Sequence, residues 1–132
     1  MSTAESCALS TTGRAPRLRA ELRTAPGAAV CVLLGDLDLH TRDIAEPVLD
    51  RALAADAPVV CVDLRDVPFC DSSGLRLLLT LRERCLLQGT ALALVAPSHR
   101  VVRLLQVAAV EDVFAIHPDC ATAVADLVGG NG

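Results

Sequence analysis

The chain has no lysine, tryptophan or tyrosine, and its aromatic residues are Phe69 and Phe114 alone. Two phenylalanines cannot build a platform for stacking bases. The 12 basic residues, all arginine, stand against 16 acidic ones and form no basic cluster, which leaves a net charge of -4. Direct binding to a phosphate backbone is excluded with it. The absence of lysine excludes a phospho-aspartate receiver with Asp63 as acceptor, because such a site needs a lysine beside an acidic pair for Mg²⁺. No apolar run approaches the ~18 residues that cross a bilayer. The first 20 residues contain no hydrophobic stretch of the secretory kind. A cytoplasmic protein with no membrane partner is expected.

Metal-ligand spacing is missing too. Cys7, Cys31, Cys61, Cys70, Cys85 and Cys120 form no C-x-x-C pair. Cys31, Cys61 and Cys85 lie inside apolar runs and read as buried, reduced thiols. Cys70 adjoins a motif, but the neighbouring Asp71 disfavours its thiolate. No metal and no cofactor is expected.

What is present is an apolar chain, 52% hydrophobic and long enough at 132 residues for one domain with a real core. Residues 1–16, rich in Ser, Thr, Ala and Gly, read as a flexible lead-in, and 17–129 as the domain. "RLRAELRT" (17–24) alternates weakly, as an edge strand does. "APG" makes a turn, and "AAVCVLLG" (28–35) is a buried strand paired antiparallel with the first. A helix follows over 43–55, with Ile44, Val48, Leu49 and Leu53 on its apolar face. Asp43 and Glu46 match a capping box at its start. "PVVCVDL" (58–64) suits a central parallel strand covered on both faces.

The second helix spans 73–88. Arg76, Thr80, Glu83 and Arg84 share its polar stripe, and Gly89 stops it. "ALALVA" (91–96) is a third buried strand. Pro97-Ser98 opens a third helix, "VFAI" (113–116) is a short strand, and a last helix starts near Pro118 and ends near Gly129. The order β-β-α-β-α-β-α-β-α gives an α/β fold. Its sheet is mostly parallel, with four to five strands, an antiparallel N-terminal edge strand and four helices.

Ligands and regulatory residues of open α/β sheets gather beyond the carboxyl ends of strands. Two segments qualify: "GDLDLHT" (35–41) and "FCDSSG" (69–74). If their strands are neighbours, Asp36, Asp38 and His40 come near Asp71, Ser72 and Ser73. Taken alone, D-S-S-G before a leucine run is an ordinary helix start, since Asp and Ser are preferred N-caps. G-D-L-D taken alone reads equally as a strand-end turn with solvated carboxylates or as a direct contact. Arg76 reads first as a solvated helix-face residue, with partner contact as the lesser alternative.

The longer context is more specific. The stretch from Ala29 to Val128 resembles the STAS domain of bacterial anti-sigma factor antagonists. The resemblance rests on "GDLDLHT" at 35–41, "VVCVDLRDVPFCDSSGLRLLL" at 59–79 and "QGTALALVAPSHRVVRLLQVA" at 88–108. The family pattern is G-x-L-D followed by V-x-D-L-x-x-V-x-F-x-D-S-S-G-L, and both halves are present in order. One departure is visible: relatives often end the third helix in a Ser-Gly turn, and here the chain reads Val107-Ala108-Ala109-Val110.

The resemblance implies that Ser72 is a phosphoacceptor. It implies a partner that is both anti-sigma factor and serine kinase, bound by the unmodified protein to free a sigma factor. It also implies a phosphatase that resets the cycle. Asp38 matches the family's acidic residue beside the phosphorylation site. The expected partner face is Asp36, Asp38, His40, Asp71, Ser73, Gly74 and Arg76.

No enzyme is expected. A Ser72–His40–Asp38 nucleophile system is conceivable from the sequence, but "DSSG" lacks the G-x-S-x-G elbow that exposes a catalytic serine. The alternative is a STAS module in another signalling complex or in small-ligand binding, without sigma control.

Overall fold

The computed structural model describes residues 18–128, so the expected lead-in at 1–16 and the stop at Gly129 lie outside the described residues. Among the described residues five strands form one sheet, in the order β1-β2-β3-β4-β5. The elements are β1 (Leu18–Ala25), β2 (Ala28–Gly35), α1 (Arg42–Ala54), β3 (Val59–Asp66), α2 (Ser72–Gln88), β4 (Ala91–Val95), α3 (His99–Val107), β5 (Ala115–His117) and α4 (Cys120–Leu127). β1 pairs antiparallel with β2, and every other pairing is parallel. The α/β class, the parallel sheet and the antiparallel edge strand all stand as expected.

The pleat explains why β2, and β3 as far as Val62, are apolar at successive positions. Along β2, Ala29, Cys31 and Leu33 join a large core beneath α1, α2 and α3. Ala28, Val30 and Val32 point the other way, into a smaller core under α4. A strand covered on both faces has no polar side to show. β1 is different. Leu18, Ala20 and Leu22 face the large core, while Arg19 and Arg23 bracket Glu21 on the outer row at 3.3 and 2.8 Å. Charges of this kind blunt an edge against pairing with another chain.

Three local expectations are corrected. The capping box of Asp43 and Glu46 is not formed. Thr41 is the N-cap of α1, and its hydroxyl turns back into the preceding loop, donating to the Asp36 carbonyl at 2.8 Å. Ile44 is not a core residue. It is 44% exposed, and the buried face of α1 is instead Ala45, Val48, Leu49, Ala52 and Leu53. The strand read at 113–116 starts later, because Glu111–Val113 make a 3₁₀ turn. Arg82 of α2 fixes that turn by donating from Nε to the Val113 carbonyl at 3.0 Å.

The departure at Val107-Ala108-Ala109-Val110 has a structural signature. α2 and α3 end in the same motif. After α2, the Gly89 amide donates to Leu86 and the Thr90 amide to Cys85. After α3, the Ala109 amide donates to Gln106 and the Val110 amide to Leu105. Both motifs need a left-handed residue, and the first uses Gly89 at φ 76° while the second uses Ala109 at φ 59°. A Cβ there costs ~1–2 kcal/mol, more than the entropy that glycine adds to the unfolded chain. Ala109→Gly should therefore raise stability by ~0.5–1 kcal/mol, read as a higher urea midpoint at an unchanged m-value. A lower midpoint would contradict the left-handed end of α3.

Candidate functional site

The two candidate segments meet through one residue. Leu37, fully buried, bridges to Cys70 in parallel fashion. Its amide donates to the Phe69 carbonyl at 2.9 Å, and its carbonyl accepts from the Asp71 amide at 3.2 Å. The loop after β2 and the loop after β3 are thus zipped together beyond the ends of their strands, as the parallel pairing of β2 with β3 requires. This zip brings Asp36, Asp38 and His40 to the same end of the sheet as Asp71, Ser72 and Ser73.

Within the first loop, Asp38 is tied inward. Its Oδ1 accepts from the His40 amide at 2.8 Å and the Thr41 amide at 3.1 Å, and its own amide donates to the Thr41 hydroxyl at 2.9 Å. Asp38 and Thr41 are both buried, while Asp36 is half-buried and His40 exposed. Asp38 therefore shapes the loop. It also meets the His40 main chain, not its ring, so the hydrogen bonds needed for a Ser72–His40–Asp38 nucleophile system are absent among the described residues.

In the second loop the helix cap belongs to Asp71. Its Oδ1 accepts from the Ser73 amide at 2.9 Å and the Gly74 amide at 3.0 Å. Neither serine hydroxyl makes a hydrogen bond among the described residues. Ser72 is exposed at the first position of α2, and Ser73 is half-buried beside it. Asp71→Ala removes both bonds and should lower stability by ~1–2 kcal/mol, with Asp71→Asn retaining most of it. Chemical denaturation of the two variants checks this, and equal losses would show that charge at this position, not capping, is what matters.

Gly74 is buried and serves packing. A Cβ on it would lie 2.6 Å from the Leu37 carbonyl oxygen and 2.7 Å from Cys70 Sγ. The first turn of α2 thus presses directly on the zip. Burial first, then the nearby Asp71 and Asp38, push the Cys70 thiol up to about 12, so Cys70 is an inert packing group at neutral pH. Arg76, one turn on, is exposed. It lines a shallow groove of about 420 Å³ with Ser72, Leu75, Leu79, Thr80 and Glu83. The polar stripe of α2 lies where its spacing places it.

Three apolar residues at this end are exposed, and the sequence reading placed none of them in the site. Leu39 is 57% exposed, Phe69 42% and Ile44 44%. They stand on the two zipped loops and the first turn of α1. No sequence signal separates Leu39 from Leu37: two residues apart in an extended run they would share a face, and the turn after Leu37 leaves one buried and the other exposed.

G-D-L-D and D-S-S-G thus meet at one end of a mostly parallel α/β sheet. The STAS domain family matches residues 19–123, and the chain belongs to that family. Solved structures agree on the fold. An anti-sigma factor antagonist from Mycobacterium paratuberculosis superposes with a TM-score of 0.76 at 22% identity, over 86% of this chain and 97% of that one. The anti-sigma factor antagonist SpoIIAA in its unphosphorylated form gives 0.69 at 20% identity, over 83% and 96%. The Bacillus cell fate determinant SpoIIAA in its phosphorylated form gives 0.61 at 20%, over 80% and 96%. A sequence search of curated proteins finds no match. No helix among the described residues is long and apolar enough to cross a membrane.

Proposed function

We propose that this protein is an anti-sigma factor antagonist, without catalytic activity of its own. In its unmodified state it binds an anti-sigma factor that is also a serine kinase, and so releases a sigma factor. Phosphorylation of Ser72 by that partner ends the complex, and a phosphatase restores it. The observation that carries the reading is the division of labour at the start of α2. Asp71 takes the capping bonds, which leaves the Ser72 hydroxyl exposed and unbonded at a helix N-terminus. A serine needed as a cap would be a poor switch, because its modification would cost the fold. The family membership and the SpoIIAA structures in both phosphorylation states support the same reading.

The partner face in this proposal is Asp36, His40, Ser73 and Arg76 around Ser72, with Leu39, Ile44 and Phe69 as apolar contacts. Asp38, Asp71 and Gly74 hold the loops in shape beneath it. Affinity capture from the native host tests the proposal with three baits: wild type, Ser72→Ala and Ser72→Asp. An ATP-binding kinase-type protein retained by the first two baits and lost from the third supports it. The same partners on all three baits would leave Ser72 with no switching role.

A further inference from the structure

Cys61 lies in the middle of β3, and Cys120 is the first residue of α4. Their Sγ atoms are 3.2 Å apart. A disulfide needs ~2.0 Å, so closing the bond asks for a movement of about 1 Å at the sulfurs. The two thiols differ in access. Cys61 is fully buried in the smaller core. Cys120 is partly exposed, in an apolar groove of about 310 Å³ lined by Ala25, Pro26, Ala121, Val124 and Ala125. Cys31, Cys70 and Cys85 are buried, and among the described residues no other two cysteines are paired in this way.

We infer that Cys61 and Cys120 form a redox modification site that closes reversibly to a disulfide on reaction with hydrogen peroxide. The accessible Cys120 acts first. Its thiolate attacks one peroxide oxygen, the O–O bond breaks, and Cys120 becomes a sulfenic acid with release of hydroxide. Cys61 then attacks the Cys120 sulfur. The S–O bond breaks, the S–S bond forms, and the leaving hydroxyl takes up the Cys61 proton as water. The balance is two thiols and one hydrogen peroxide giving one disulfide and two waters. Burial first, then the neighbouring Cys120 thiol, push the Cys61 thiol up to about 12, which fits the order in which the resolving group is the buried one.

The consequence is mechanical. α4 is a short helix with only Ala123 fully buried, and the bond would staple it to a central strand. The closed loop spans residues 61–120. The large core and α2 lie on the opposite face of the sheet, so this site acts independently of Ser72 and stands whether or not that residue is a switch.

The test uses the whole protein, reduced and then freed of reductant. It is treated with hydrogen peroxide, blocked with N-ethylmaleimide in denaturant, and digested without reduction. The expected products are a peptide pair joining Cys61 to Cys120 and a rise in Tm on the order of 10 °C, both reversed by dithiothreitol. Cys120→Ser should show neither change. Cys61→Ala should stop at a Cys120 sulfenic acid that dimedone traps. Peroxide-treated wild type with both residues as maleimide adducts would overturn the inference. So would Cys120 oxidised to sulfinic acid without a link, or linked to any other cysteine.

Discussion

Ser72→Asp lowers affinity for the kinase-type partner a hundred- to a thousandfold and leaves Tm within a few degrees of wild type. The two halves of this expectation have different causes. Within the free protein, a negative group at the first position of α2 meets the positive end of the helix dipole, worth ~0.3–1 kcal/mol. Arg76 stands four residues on, where an acid–base pair adds a further ~0.2–0.5 kcal/mol. Asp71 nearby opposes both, and the sum is close to zero.

At the proposed interface one cation, Arg76, stands against two acids, Asp36 and Asp71, and the apolar Leu39, Ile44 and Phe69 are exposed at the same end. Taking a charge out of water among apolar groups costs several kcal/mol. A net loss of ~3–4 kcal/mol corresponds to the stated fold-change. Phosphoserine, with a charge of about -1.5 to -2 at neutral pH, should weaken binding at least as much. Isothermal titration with the captured partner measures the first half and a thermal melt the second. An Asp variant that binds poorly because it has melted would assign Ser72 to the fold.

Gly74→Ala destabilises the protein by ~2–3 kcal/mol, a fall in Tm of roughly 10–15 °C. The added Cβ would sit 2.6 Å from the Leu37 carbonyl oxygen, 2.7 Å from Cys70 Sγ and 3.0 Å from Leu37 Cγ. A flexible side chain could swing away, but that carbonyl is backbone and already accepts the Asp71 amide. Relief therefore opens the zip between the two loops or pushes the start of α2 outward, and either moves Ser72.

Gly89→Ala provides the contrast. Nothing lies within 4 Å of its added Cβ, and its φ of 76° is the whole difficulty, so the loss should be only ~1 kcal/mol. Circular dichroism melts of the two variants separate crowding from backbone strain. Equal and small losses would mean that α2 does not press on Leu37.

The sheet was legible because its evidence is periodic. Runs such as "AAVCVLL" and "VVCV" are apolar at every position, as a strand buried on both faces is. The meeting of the two loops was legible as a consequence of parallel neighbours, although the residue that joins them was not. Leu37 looks like any leucine in a polar loop, and its importance lies in main-chain hydrogen bonds that side-chain chemistry does not announce. The capping residue of α2 was open in the sequence, since Asp71, Ser72 and Ser73 are all good caps. Backbone geometry decides it, with Asp71 in the extended conformation and Ser72 already helical.

Ile44 was misplaced because the inner face of α1 is completed by the small residues Ala45 and Ala52, and the N-cap is Thr41, two residues before the Asp43 of the motif. The approach of Cys61 to Cys120, 59 residues apart, had no local signature at all. It depends on how α4 crosses the sheet.

Phosphate mapping tests the central claim most directly. The purified protein is incubated with the captured partner and ATP, and the modified residue is located by tandem mass spectrometry in wild type and in Ser72→Ala. One phosphate on Ser72, and none in the variant, is the result expected of a switch at the exposed first residue of α2. Phosphate on Ser73 or on another element, or no phosphate while the complex persists, would contradict it.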